Sequence, residues 1–141
     1  MTTPAFAAIL GLGASPAPNV ADYAGIIDAP PALIWQRDLP GAPLSASSHT
    51  ELGTPVISGD HILVGSAGSN ALYVLDRHHG TLIHQYSSNG PVQSAPVVIG
   101  EDVLFTDAAG YTWCYRLGSD SPTWKHYGGA PVLSSPTVVD G

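Results

Sequence analysis

From Thr54 onward the chain alternates short apolar runs with turn residues, and no run is long enough, or periodic enough at 3.6 residues, to read as a helix. Residues 54–66, TPVISGDHILVGS, are two β-branched or apolar runs split by Gly59-Asp60, a pair that favours a tight hairpin. After the small-residue turn AGSN (67–70) comes ALYVLD (71–76), then a turn over Arg77 to Gly80, then TLIHQY (81–86). The pattern predicts four short strands in about forty residues.

The pattern then returns. TPVISGDHILVGS laid over APVVIGEDVLFTD (95–107) matches Pro55 with Pro96, Val56 with Val97, Gly59 with Gly100 and Leu63 with Leu104. NGPVQSAP (89–96) over GAPVLSSP (129–136) matches Pro91 with Pro131, Val92 with Val132 and Ser94 with Ser134. Pro55, Pro96 and Pro136 therefore stand 41 and 40 residues apart, and a third copy opens at Ser135. Four antiparallel strands per period of this length make the blade of a β-propeller; a helical repeat of similar period would be broken by these prolines and glycines. The expected fold is all-β, an incomplete β-propeller. It would hold about two four-stranded antiparallel blades (54–93 and 95–134), flanking single strands, and the start of a further blade at 135–141, within which the chain stops.

Residues 1–31 differ from the rest. They hold Pro4, Pro16, Pro18, Pro30 and Pro31, many alanines, and neither Lys nor Arg. They read as a flexible Pro/Ala-rich arm or a remnant secretory signal. The apolar stretch AFAAILGLGA (5–14) falls short of the roughly twenty residues that cross a bilayer, so no membrane span is expected.

Composition narrows the function. Only 11% of the 141 residues are charged, the net charge is −7, and the basic residues Arg37, Arg77, Arg116 and Lys125 are isolated from one another. This excludes a phosphate-reading surface and hence a nucleic-acid partner. A single cysteine, Cys114, excludes an internal disulfide and any multi-Cys metal site. His78-His79 with His84 invite a metal reading, but neighbouring side chains in a turn diverge and no Cys or carboxylate cluster completes a ligand set, so solvated turn residues fit better. Glu101 and Asp102 are hairpin charges rather than an acid/base pair, because adjacent strand residues face opposite ways. GSAGS (65–69) lacks both the nucleophile-elbow order and a phosphate-loop lysine. Cys114 reads as a small buried side chain. Trp113, Trp124, Tyr73, Tyr111 and Tyr127 are expected to pack between blades, with Tyr111, beside Gly110, the one expected exposed contact. No catalytic, cofactor-binding or metal-binding residue is expected.

These residues resemble the quinoprotein-type, or PQQ-like (pyrroloquinoline quinone-like), propeller repeat, whose pattern is approximately S-P-V-x-x-G-D-x-V-Y-V-G-S followed by x-L-Y-A-L-D-x-x-T-G-x-x-x-W. Asp76, Gly80 and His84 stand at the family's Asp, Gly and Trp; in the next copy Trp124 restores the Trp, with Arg116 and Asp120 at the Asp and Gly positions. In that family the indole of one blade packs against the next. Trp35, followed by Gly41 and Pro43, resembles the same outer strand of an earlier copy, with 42–51 as a loop insertion. The resemblance marks Pro55, Gly59, Asp76, Gly80, His84, Pro96, Gly100, Trp124 and Pro136 as structural motif positions. It implies a non-catalytic scaffold or protein-binding module similar to outer-membrane assembly factors of the BamB type, a fragment of a larger repeat protein in the periplasm or outside the cell. Its partners would be other proteins, the remaining blades, or copies of itself. The alternatives are a fragment of a PQQ-dependent alcohol or sugar dehydrogenase, which would bring PQQ with Ca²⁺, and the sensor propeller of a larger signalling protein. The adjacent-cysteine disulfide typical of those dehydrogenases cannot form from one cysteine, and no lipobox cysteine occurs near the N-terminus.

Overall fold

Short strands joined by tight turns have one economical arrangement, in which each strand pairs with the next along the chain. The computed structural model describes residues 33–39 and 53–139. Its first sheet runs β1 (Val56–Ser58), β2 (His61–Ser66), β3 (Ala71–Asp76) and β4 (Leu82–Ser87); its second runs β5 (Val97–Ile99), β6 (Asp102–Thr106), β7 (Tyr111–Arg116) and β8 (Pro122–Tyr127). Both are antiparallel meanders in sequence order, and no helix occurs among the described residues. The expected pair of four-stranded blades is thus observed. The flanking segments expected as single strands, where described at 33–39 and 130–139, join neither sheet's ladder. The 1–31 arm and the 42–51 insertion lie outside the described residues.

The hairpins explain two motif glycines. Ser58 pairs with His61, leaving Gly59 and Asp60 as a two-residue turn, and Ile99 pairs with Asp102 around Gly100 and Glu101. Gly59 has φ +56° and Gly100 φ +60°. Only the first central residue is left-handed, the demand of a II′ turn that glycine meets without strain.

The strand register sorts side chains into faces. In the first sheet the row Val56, Leu63, Val74, His84 lies on one face and the row Ile57, Ile62, Leu75, Leu82 on the other. The second sheet repeats them as Val97, Leu104, Cys114, Trp124 and as Val98, Val103, Tyr115, Pro122. The ladder shifts at equivalent places, Val74/Leu75 and Cys114/Tyr115, so the irregularity belongs to the repeat as well.

The two sheets stack. Leu63, Leu72, Val74 and Tyr86 of the first pack on Val103, Phe105, Trp113 and Tyr115 of the second, with Val92 of the linker among them. The first sheet's other face, with Ile62, Val64, Ala71, Tyr73 and Leu75 and with Leu82 beside them, is covered by Trp35 and Leu39. Burial on both faces explains why β2 and β3 are continuous apolar runs rather than alternating ones. The linker crosses β2 so closely that a Cβ on Gly65 would lie 2.6 Å from the Val92 carbonyl oxygen.

Phe105, fully buried between the sheets, is expected to cost roughly 3–5 kcal/mol when cut to Ala. Ile99→Ala, at a half-exposed hairpin position, is expected to cost under about 1 kcal/mol. Urea-unfolding midpoints of the two variants check the difference.

Candidate functional site

One arrangement recurs along the stack: an aromatic ring carries an N–H to a carbonyl in the turn after the third strand of the next sheet. The first instance is Trp35. Its Nε1 donates to the Arg77 carbonyl at 2.9 Å, and its ring lies so close over Gly80 that a Cβ there would fall 2.5 Å from Cε3. Gly80 is at φ +66°, so both conformation and space require glycine. Arg37 adds a bond from Nη1 to the Gly80 carbonyl at 3.2 Å.

Asp76 builds the turn that receives Trp35. Its Oδ1 accepts the backbone N–H of His78 at 2.9 Å and of His79 at 2.7 Å, and the ring Nδ1 of His79 at 2.9 Å. The His79 backbone N–H is the chief reason the carboxyl sits below its ordinary value of 3.8; desolvation opposes it, and the remaining bonds add to the lowering. The adjacent histidines therefore serve different carboxylates: His79 faces Asp76, and His78 faces Asp60 at 3.5 Å across an exposed pair. Among the described residues no group of three or more His, Cys, Asp or Glu is placed to hold a metal ion.

His84 provides the second instance, between the two sheets. Its Nε2 lies 3.0 Å from the Ser119 carbonyl and 3.6 Å from the exposed Asp120 carboxylate. A carbonyl only accepts, so Nε2 carries the hydrogen. The His84 ring leans on Tyr86, and Tyr86 on Tyr115, at centroid distances of 4.7 and 4.5 Å. Tyr86 donates to the Arg116 carbonyl at 3.3 Å and accepts from the Gly118 N–H at 2.9 Å, while Tyr115 donates to the Ser87 carbonyl at 3.2 Å. Burial pushes both phenols above their ordinary value, so both stay protonated at neutral pH.

Trp124 stands at the equivalent position of the second sheet, but among the described residues its ring meets no such carbonyl, and it is 45% exposed. Beside it in its row, Cys114 is buried and Leu104 and Val97 are half-buried. Burial, with a contribution from Asp102, pushes the Cys114 thiol up.

Asp107 is the residue that sequence reasoning missed. Fully buried, it accepts four N–H groups: Asn89 backbone and Trp113 Nε1 on Oδ2, and the backbones of Ala109 and Tyr111 on Oδ1, all at 2.9–3.0 Å. Its carbonyl also receives the Val132 N–H at 3.3 Å. It thereby ties the first sheet's exit, the β6–β7 turn and the following linker together. Its repeat partner is Ser66, so the alignment held no hint of a carboxylate's role. The available signal was an acid ending an apolar strand, four residues before a Tyr-Thr-Trp run.

The other candidates find local partners. Tyr111 is half-buried between Trp113 and Tyr127, at centroid distances of 5.7 and 4.9 Å, with Lys125 Nζ 5.5 Å from its ring centre. Glu101 faces Arg116 at 3.6 Å. In the turn at 67–70, Ser69 Oγ accepts the Tyr73 hydroxyl at 2.8 Å.

Two stacked four-stranded meanders with recurrent ring-to-carbonyl docking define adjoining β-propeller blades. No protein-family model matches the chain, and no curated protein matches it. Among solved structures it is similar to BamB from Moraxella catarrhalis, with a TM-score of 0.52 and 26% identity over 61% of this chain. The match takes in 27% of that BamB chain. The computationally designed protein Ika8 also matches over 61% of this chain, at 12% identity and a TM-score of 0.34, too loose a superposition to bear on function.

Asp76 has a lower pKa folded than unfolded, so its contribution to stability is present above the unfolded value and disappears as pH falls through the folded one. The stability gap between the native chain and Asp76→Asn is therefore expected to hold steady from about pH 5 to 7 and to close below about pH 4; urea titrations at stepped pH measure it. Asp107→Ala strands four N–H donors and is expected to cost at least about 3 kcal/mol at pH 7 in the same assay.

Proposed function

We propose that the chain belongs to a non-catalytic β-propeller scaffold that binds other proteins, similar in role to the PQQ-like outer-membrane assembly factors and working in the periplasm or outside the cell. A propeller closes with four to eight blades, so these two sheets act as part of a ring. The carrying observation is how the chemistry-bearing side chains are used. Asp76, His79, His84 and Asp107 each hold a turn or a sheet junction, whereas all six residues of β8 are exposed. β8 pairs only with β7, so one side of its backbone is an edge to which a partner strand adds by main-chain hydrogen bonds. The resemblance to BamB supports the same reading. Among the described residues no helix is long and apolar enough to cross a membrane. In this reading the chain takes no quinone.

The test combines two measurements. A photo-crosslinking amino acid at Thr123 in β8 is expected to give a discrete adduct with another protein in the native host, and the same group at Asp60, in the exposed first hairpin turn, none. Addition of PQQ and Ca²⁺ is expected to leave dye reduction with alcohols and aldoses at the level of a no-cofactor control. Turnover clearly above that control would overturn the scaffold reading in favour of a quinoprotein dehydrogenase.

A further inference from the structure

The linker between the two sheets carries the chain's one Asn-Gly pair, Asn89-Gly90. Asn89 is exposed, and among the described residues no hydrogen bond holds its carboxamide; its backbone N–H donates to Asp107 Oδ2 at 3.0 Å. Gly90 is buried against Ala109, and its own N–H donates to no group among the described residues. The fold leaves no room for a side chain at position 90, since a Cβ there would fall 2.7 Å from the Ala109 nitrogen. Gly129 and Ala130 take these two places in the next repeat, so the pair belongs to this junction and not to the repeat. Asn70, by contrast, precedes Ala71, a buried strand residue paired with Ser66 and Ser87.

An asparagine carboxamide is open to attack by the backbone nitrogen of the next residue, and a glycine there leaves the approach unhindered because it has no Cβ. The Gly90 nitrogen gives its proton to hydroxide and bonds to Asn89 Cγ. The Cγ–Nδ2 bond breaks, and the nitrogen leaves as ammonia with a proton taken from water. Water then opens the cyclic imide at one of its two carbonyls. The product at position 89 is an aspartyl residue or an isoaspartyl residue, whose main chain runs through Cβ and Cγ.

We propose that Asn89-Gly90 is a self-modification site whose conversion to isoaspartate unpins the linker at the blade junction. The linker is held on both sides of the site. Ser88 N–H bonds to the Asn70 carbonyl at 3.0 Å, Asn89 N–H to the Asp107 carboxylate, and the Pro91 carbonyl accepts the Ala108 N–H at 2.9 Å. Isoaspartate inserts one more main-chain atom between the Asn89 N–H and the Pro91 carbonyl, which are gripped by the adjacent residues Asp107 and Ala108. That length is taken up only by giving up one of the two bonds. A carboxylate also replaces a neutral carboxamide on the segment that Asp107 already holds with its own charge, and like charges repel. Time and alkalinity drive the conversion, so it loosens the junction as the chain ages, whatever partner the scaffold binds.

The experiment ages the full chain at mildly alkaline pH beside Asn89→Gln, whose longer carboxamide closes such a ring far more slowly. Trypsin cuts after Arg37, Arg77 and Arg116, which leaves Asn89 the only asparagine of the 78–116 peptide. The native peptide is expected to gain about one dalton, placed at position 89 by its fragment ions, and to divide into two chromatographic forms, one of them a substrate for isoaspartyl methyltransferase. The 38–77 peptide, which holds Asn70, is expected to keep its mass. The aged native chain is expected to unfold at a lower urea concentration than the fresh one, and aged Asn89→Gln at the same concentration as when fresh. An unchanged 78–116 mass, a converted chain as stable as the fresh one, or an equal loss of stability in Asn89→Gln would each overturn the proposal.

Discussion

A four-stranded sheet that is apolar on both sides cannot keep either side in water, and the rest of this structure follows from that demand. β2 and β3 carry Ile62 to Val64 and Ala71 to Leu75, all buried. Each square ångström of such surface returned to water costs on the order of 25 cal/mol. The inward side of the first sheet is met by the Val103, Phe105, Trp113 and Tyr115 side of the second, and its outward side by Trp35 and Leu39. Exposure then rises along the stack, and β8 is exposed at every position.

Apolar cover has no direction, so it does not by itself decide how one sheet sits on the next. Polar groups make that choice. Tyr86 bonds to the Arg116 carbonyl, Tyr115 to that of Ser87, and His84 to that of Ser119, so each links one sheet to the backbone of the other. Asp107 fixes the loops on either side of the junction. A slip of one residue in either sheet would strand these donors and acceptors, which restricts the stack to one registration.

The blades were legible because the repeat is written in residues with sharp conformational demands. Gly59 and Gly100 mark equivalent hairpins, and Leu63 and Leu104 mark equivalent rows. The docking partners were legible only through the family pattern: Trp35 and Gly80 meet across more than forty residues of chain, a contact that local periodicity cannot register. His84 follows the position rather than the residue type, since a ring N–H and a flat face are what the position requires. Asp107 was not legible, because a carboxylate facing four N–H groups depends on three separate loops converging, and its counterpart Ser66 meets a different need with a shorter side chain. Tyr111 looked exposed from its neighbour Gly110; the flanking rings of Trp113 and Tyr127 come from strand pairing that residue order does not display.

The only thiol in the chain sits in the row beside Trp124, 3% exposed and held above its ordinary pKa. A neutral, sheltered sulfur is slow to meet an alkylating reagent. Its labelling rate therefore tracks how often β7 and β8 part, giving the second blade a built-in gauge of local breathing that needs no foreign probe.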